Sequence, residues 1–293
     1  MRALSRTMPL LLVGAGALLL SGCGGADQHA VLTQAADGLA KVRSGNMDLR
    51  MTVSGGDGAA DGQVGFEERG PFSLPAAGNL PVARTEVIHI VGGKQDTTTF
   101  ISTGKNAYVS MAGHTYSLPD ARVQQLRSAS TNAGGGNGMG SLRVDRWARD
   151  ASTGSGATVD GVGTDRTTGS LDVRQFLNDL MQLSRSLGET ASVPQVTDAD
   201  ARDLARAVRS SHFELISGRD DHLPRKLTAV VDFAAPSGGS GALARYSSTR
   251  LELDLTLTSV NQPVTVADPP GAQPFTALCV QQPDVAACKP AQS

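Results

Sequence analysis

The sequence is poor in aromatic residues, in cysteine and in excess positive charge. Aromatic residues make up 4% of the 293 residues, too few to predict a base-stacking or sugar-stacking surface. Basic residues number 26 against 28 acidic ones, which argues against nucleic acid or an anionic surface as the main partner. The five histidines form no HxH or HExxH pair, so the sequence predicts neither a metal site nor a cofactor.

Signatures of catalysis are also missing. The sequence contains no G-x-S-x-G nucleophile elbow and no Walker A loop. Ser102 and Lys105 fit the S-x-x-K spacing of penicillin-binding enzymes, but Gly104 lies between them and no S-D-N or K-T-G follows, so a hairpin turn is favoured. The run 220–222 (Asp-Asp-His) is interpreted as a solvated turn rather than a metal site. The sequence therefore predicts a protein that is not an enzyme.

A leader is present at the N-terminus. Arg2 and Arg6 precede an apolar run, 9–20, that is too short for a stable membrane span, and the run ends in Leu-Ser-Gly-Cys at 20–23. This ending resembles the lipobox of bacterial lipoproteins, in which the cysteine is acylated, for example with palmitate. The alternative is an ordinary secretory signal with a chance cysteine. We predict a signal peptide over 1–22, lipid attached to Cys23, and an extracytoplasmic protein anchored to the cell membrane.

The two remaining cysteines lie near the C-terminus. Cys279 and Cys288 are separated by eight residues, and two spare thiols at short range in an oxidising compartment predict a disulfide. Closing such a loop is worth roughly 2.5–3 kcal/mol on the chain-entropy model. The segment 261–293 is rich in proline and is predicted to be an irregular tail closed by this bond.

Hydrophobic periodicity predicts an α+β fold with one large antiparallel sheet, one face wet and one face covered. Asp172 is predicted to cap a helix, with Gln175 completing a capping box. A further helix is predicted to follow Thr197 and to run to about Arg209. The predicted strands are 46–54, 63–68, 85–91, 97–103, 107–111, 155–163, 165–169, 212–217, 223–233 and 249–258, after an opening helix over 27–42.

Two late strands and one helix carry the strongest apolar patterns, and the first predicted strand has a third alternating run. The candidate inward-facing residues are Leu49, Met51, Val53, Phe176, Leu177, Leu180, Leu227, Ala229, Val231, Phe233, Leu251, Leu253, Leu255 and Leu257. These side chains form either an ordinary filled core or the wall of a lipid-sized cavity. Bulk added at Leu253 would be tolerated beside an open space and would overpack a filled core.

Three short motifs resemble a known group. They are Leu-Ala-Lys-Val-Arg-Ser-Gly at 39–45, the Gly-, Thr- and Asp-containing run at 159–173, and Asp-His-Leu-Pro-Arg-Lys-Leu at 221–227. The chain resembles the actinobacterial envelope lipoproteins of the LppX/LprG group and, more distantly, the LolA-type lipoprotein carriers. The resemblance implies a half-open barrel with helices over its concave face. It also implies an apolar cavity for acyl chains, lined by the candidate residues above.

The sequence thus predicts a lipid-binding domain over 23–260. Its predicted function is to bind or carry a lipid-like apolar ligand in the cell envelope without catalysis. The predicted partners are the membrane, through the lipid anchor, and an acyl-chain lipid, and the protein is predicted to be a monomer. The alternative is an envelope interaction or structural lipoprotein with a filled core and no ligand cavity.

Overall fold

The computed structural model describes residues 25–55, 63–74, 79–132, 142–186, 206–234, 248–281 and 288. The helices are α1 (Gly25–Lys41), α2 (Asp120–Asn132), α3 (Val144–Trp147), α4 (Val173–Ser186) and α5 (Phe275–Gln281). The strands are β1 (Ser44–Gly55), β2 (Val64–Ser73), β3 (Val82–Val91), β4 (Lys94–Thr103), β5 (Ala107–Met111), β6 (His114–Ser117), β7 (Ala148–Ser155), β8 (Thr164–Leu171), β9 (Val208–Gly218), β10 (Pro224–Ala234), β11 (Ser248–Thr258) and β12 (Gln273–Pro274).

One large curved, unclosed sheet contains these strands, in the order β12-β6-β5-β4-β3-β2-β1-β11-β10-β9-β8-β7. All neighbouring strands are antiparallel except β12 and β6, which pair in parallel over two residues. Strands β2 to β6 and β7 to β10 each follow chain order, and β1 pairs with β11 between them, with Met51 opposite Leu253. The α+β class and the half-open sheet predicted from the sequence are confirmed.

Helices α1, α3 and α4 lie on one face of the sheet, here called the inner face. The apolar stripes of α1 and α4 share a core with the alternate residues of β9, β10 and β11. Asp172 caps α4, since its Oδ1 accepts a hydrogen bond of 3.1 Å from the Gln175 backbone N–H. A capping box would also have the Gln175 side chain bonded back to the backbone N–H of Asp172. Here that side chain instead donates a hydrogen bond of 3.0 Å to Asp179.

Two predicted elements are wrong. The strand predicted over 155–163 ends at Ser155, and Asp160, with a φ of 51°, lies in a turn closed by the bridge between Val159 and Val162. The helix predicted to reach Arg209 cannot do so, because β9 begins at Val208. The start predicted for that helix at Thr197 lies outside the described residues. Both errors come from short polar runs in which Gly, Asp and Ser give weak periodicity.

The outer face of the sheet is only partly exposed to solvent, whereas strand alternation predicted a fully exposed face. Ile88, Ile90 and Ile101 occupy the outer face of β3 and β4 by register and are buried. The C-terminal segment reaches this face, where the Tyr108 hydroxyl donates a hydrogen bond of 2.7 Å to Asp268. The tail predicted to be irregular therefore adds contacts to the fold, and its described part contains β12 and α5.

Cys279 and Cys288 are joined by a disulfide with a Cα–Cα distance of 5.2 Å. Cys279 lies in α5, where Leu278 is buried and the Tyr116 hydroxyl donates to Gln281 Oε1 at 2.9 Å. The bond therefore ties the chain beyond α5 to a helix that is itself held against β6.

Candidate functional site

Register decides which side chains share the inner face. Directly paired residues of neighbouring antiparallel strands point to the same side of a sheet. Leu227 pairs with Leu255, and Leu255 with Leu49, so these three leucines form one row across β10, β11 and β1. The row continues onto Glu68 of β2 and Val87 of β3. The inner face can thus be followed, row by row, from beneath the helices to the far side of the sheet.

Most of the residues predicted to line a cavity are buried beneath the helices. Leu227 and Val231 have no exposed surface, and Leu253 is 2% exposed. The same core encloses Leu49, Phe176, Leu177, Leu180, Ala229, Phe233, Leu255 and Leu257. We call this group the sealed core. A ligand would contact these side chains only if α1 or α4 moved away from the sheet, and their predicted role in lining a cavity stays a prediction.

A buried carboxylate fixes α4 over the sealed core. Asp179 Oδ2 accepts hydrogen bonds from the indole N–H of Trp147 at 2.7 Å and from the backbone N–H of Arg143 at 2.9 Å. Its Oδ1 accepts from Gln175 at 3.0 Å. Trp147 packs edge-on against Phe176 at a centroid distance of 5.0 Å. The carboxylate and the indole together join α4 to α3, so this cover is specified by polar contacts as well as by packing.

A second part of the inner face is apolar but only partly buried. Met51 and Val53, both among the predicted lining residues, stand on β1, with Leu251 beside Val53 on β11. The face continues with Phe66 on β2 and Val87 on β3, which are also half-buried and which pair with His89 and Glu68 on the same face. We call Met51, Val53, Phe66 and Val87 the apolar strip.

Exposure increases along one row from the sealed core across the strip. The row runs from Val231 through Leu251 and Val53 to Val64 and then Val91. Val231 has no exposed surface, Leu251 and Val53 are half-buried, Val64 is 38% exposed and Val91 is 66% exposed. The inner face therefore changes gradually from a filled core into an accessible apolar surface.

Polar residues border the strip on the side of β4. Lys94 pairs with Val91, Asp96 with His89, and Thr98 with Val87, so the inner face becomes polar over the first half of β4. Helix α2 covers the same face beyond this border, where Val123 packs near Phe100 in a separate small core. The strip thus lies between two helix-covered regions and has a polar margin.

The sequence missed Phe66 and Val87 as members of this surface. Strand β3 reads Val-Ile-His-Ile-Val over 87–91, with apolar side chains on both faces, so alternation could not tell which face was inner. The missing information is the pairing of β2 with β3, which places Val87 opposite Glu68 and Phe66 opposite His89 on the inner face.

The residues considered and rejected for catalysis have structural roles. The Ser102 hydroxyl donates to the carbonyl of Pro81, and Gly104, with a φ of 85°, turns the chain before the exposed Lys105. Asp221 accepts from the buried guanidinium of Arg225 and stabilises the turn between β9 and β10. Within the described residues, no group of three or more His, Cys, Asp or Glu side chains lies close enough to hold a metal ion.

The predicted anchor at Cys23 lies outside the described residues. Among the helices that the structure describes, none combines the length and the apolar character that a membrane span requires.

Comparison with known proteins gave similar solved structures only. No family model and no curated protein matches the sequence. LprF from Mycobacterium bovis is similar with a TM-score of 0.44 at 14% identity, over 85% of this chain and 99% of that one. The Mycobacterium tuberculosis lipoprotein LppX is similar with a TM-score of 0.37 at 14% identity, over 82% and 98% of the two chains. MucB in complex with MucA is also similar, with a TM-score of 0.24 at 13% identity, over 84% and 66%. LppX belongs to the group that the sequence motifs resemble.

Proposed function

We propose that this chain is a non-enzymatic, membrane-anchored lipoprotein that binds or carries a lipid-like apolar ligand in the cell envelope. The observation that carries the proposal is the half-buried apolar strip on the inner face, between the sealed core and the core under α2. Large apolar side chains on a strand are normally covered by a helix or a second sheet, and these four are covered only in part.

Burial alone would give such a surface useful affinity. Each methylene removed from water contributes about 0.8 kcal/mol, so ten buried methylenes would contribute about 8 kcal/mol before the costs of association. Met51 and Phe66 are adjacent on β1 and β2 and offer a flexible thioether and an aromatic ring to an acyl chain. This chemistry requires neither a nucleophile nor a metal ion.

Ligand content can be measured on a soluble form that begins at Gly24 and is exported behind a cleavable leader. We expect native mass spectrometry and lipid extraction to find an acyl-chain lipid bound to it. Val87→Trp adds bulk within the strip and should lower the lipid-bound fraction at least about threefold, since the indole takes the place of several methylenes.

The matched control is Val230→Trp, which makes the same change at a half-buried position on the outer face of β10. That variant should carry as much lipid as the unchanged protein. Equal loss of lipid in both variants would place the ligand elsewhere. A protein that carries no lipid when isolated from its own envelope would contradict the proposal.

The second candidate function is an envelope interaction protein with a filled core. It is supported by the sealed core itself, in which Leu227, Val231 and Leu253 leave almost no accessible surface. Leu253→Trp should then overpack the core and cost about 1–3 kcal/mol. Such destabilisation together with an absence of lipid in the unchanged protein would favour this candidate.

Anchoring at Cys23 belongs to the same proposal and has its own test. Cys23→Ala removes the thiol that accepts the acyl chains, so the protein should either leave the membrane fraction or keep its leader. Processing that stays sensitive to globomycin, with unchanged partitioning into detergent, would show that another residue carries the anchor.

A further inference from the structure

The large apolar side chains that are exposed among the described residues are Val64, Val91 and Val280. Val64 and Val91 are direct cross-strand partners at the open end of the β2–β3 pair, beside the turn that joins β3 to β4, and Val64 also pairs with Val53 of the apolar strip. The two side chains therefore form one small apolar surface, here called the valine tip, that is continuous with the strip.

We propose that the valine tip docks on the surface of the lipid bilayer to which the chain is anchored. The inference rests on the proposed function and adds the place where a ligand passes between bilayer and strip. An acyl chain leaving a bilayer avoids water only if apolar protein surface begins at the bilayer itself. The increase in exposure from Val53 to Val64 to Val91 provides such a continuous surface.

The short stretch of chain between Cys23 and α1 supports the bilayer as the partner of the valine tip. Cys23 precedes Gly25, the first residue of α1, by two residues, which span at most about 7 Å when extended. A lipid-anchored Cys23 would hold the folded domain against the membrane with almost no linker. Lys94 stands opposite Val91 on β4 and is exposed, so an ammonium group accompanies the apolar pair, as is common in surfaces that meet lipid headgroups.

Depth measurements test the orientation directly. The full-length, lipidated protein is reconstituted into vesicles of phosphatidylethanolamine and phosphatidylglycerol. A single thiol is introduced by Val91→Cys and labelled with an environment-sensitive NBD dye. The control is Asp220→Cys in the exposed turn between β9 and β10, at the opposite end of the strands. The unchanged protein should take up no dye, because Cys23 is acylated and the other two cysteines are paired.

We expect nitroxide-bearing lipids to quench the dye at position 91 at least about threefold more than the dye at position 220. Equal quenching at the two positions, or stronger quenching at 220, would overturn the proposal. Disulfide-linked dimers of unlabelled Val91→Cys protein in the vesicles would also overturn it, in favour of a second copy of this chain as the occupant.

A second measurement follows exchange of lipid between the anchored protein and labelled vesicles. Val91→Glu should slow this exchange roughly tenfold, because a carboxylate resists entry into the headgroup boundary. The matched control is Val280→Glu, which changes the exposed valine of α5 and should alter the rate less than about twofold. Equal rates of lipid exchange in the two variants would contradict docking of the valine tip on the bilayer. If the unchanged protein carries no lipid, the proposed function fails, and the depth measurement still decides whether the tip contacts the bilayer.

Discussion

The sealed core and the apolar strip are built from the same kind of strand and differ in what covers them. In both, alternate residues of each strand face inward and pair across the sheet in register, although in the strip Phe66 pairs with His89 and Val87 with Glu68. Over β9, β10 and β11 the helices α1 and α4 cover the face and exclude water, whereas Phe66 on β2 and Val87 on β3 remain half-buried. Strand alternation therefore specifies a face, and the placement of helices decides whether that face is core or binding surface.

The largest effect that separates the two regions should come from cavity formation. Leu227 has no exposed surface, so Leu227→Ala should lower the free energy of unfolding by about 2–5 kcal/mol. The same change at the half-buried Leu251 should cost less than half as much, because solvent already reaches that side chain. Urea denaturation of both variants gives the comparison. Similar losses would mean that the position next to Val53 of the strip is packed as tightly as the sealed core.

A smaller effect should come from the polar contacts that hold α4 in place. Asp179→Ala leaves the Trp147 indole and the Arg143 N–H without their acceptor and should cost about 2–3 kcal/mol. Asp179→Asn keeps one acceptor oxygen and should cost less. Trp147 is the sole tryptophan of the chain, so its fluorescence reports this site directly, and we expect a red shift in the alanine variant. An unchanged emission spectrum would show that α4 holds its position without the carboxylate.

The smallest effect concerns the outer face, where the tail contacts β5. Partial burial, and then the hydrogen bond to Asp268 and its negative charge, raise the pKa of Tyr108, and the hydrogen bond from Tyr108 lowers the pKa of Asp268. The folded state holds the tyrosine proton more tightly than the unfolded chain does. The stabilisation is therefore complete below the ordinary tyrosine pKa of about 10 and is lost as pH rises through the raised pKa.

At acid pH the same contact should weaken for the opposite reason. The contribution of Asp268 is present above the ordinary carboxyl pKa and is lost as pH falls through its lowered pKa. Urea denaturation of the unchanged protein and of Tyr108→Phe, repeated across the pH range, tests both the acid and the alkaline effect. The difference in free energy of unfolding between the two proteins should be constant near neutral pH and should shrink in acid and in alkali. Parallel curves throughout would mean that the contact contributes nothing.

Much of the fold could be predicted because the local patterns were strong. The leucines at 251, 253, 255 and 257 alternate without interruption, and strand β11 follows them from Ser248 to Thr258. The cap at Asp172 and the stripe from Val173 to Leu180 likewise predicted α4 correctly. In these segments side-chain periodicity and the signals at the element ends agree with the tertiary structure, so local patterns were sufficient to predict them.

The sequence failed where function or polar contacts depend on distant pairing. Asp179 lies between Phe176 and Leu180 on the apolar side of α4, yet its acceptor role requires Trp147 from another element. Strand β2 continues through Gly70 and Pro71, although glycine and proline ordinarily weaken or end a strand. Gly70 adopts a φ of 140°, a backbone conformation that residues with a side chain rarely adopt. The apolar strip was missed in part because the exposure of a strand residue depends on which other elements cover it, and a single strand does not carry that information.

The pairing of β1 with β11 has a consequence for how the chain is made. These strands meet at the centre of the sheet, yet Met51 and Leu253 are separated by roughly 200 residues, a long loop to close. The strands on either side of this seam follow chain order and can form from neighbours in sequence. A chain synthesised N-terminus first can therefore pair β1 with β2 at once, but the other edge of β1 stays open until almost all of the sequence has followed. Non-local pairing of this kind slows folding and prolongs the exposure of a strand edge. During that interval, the open edge of β1 is the part of the new chain for which a chaperone would have most use.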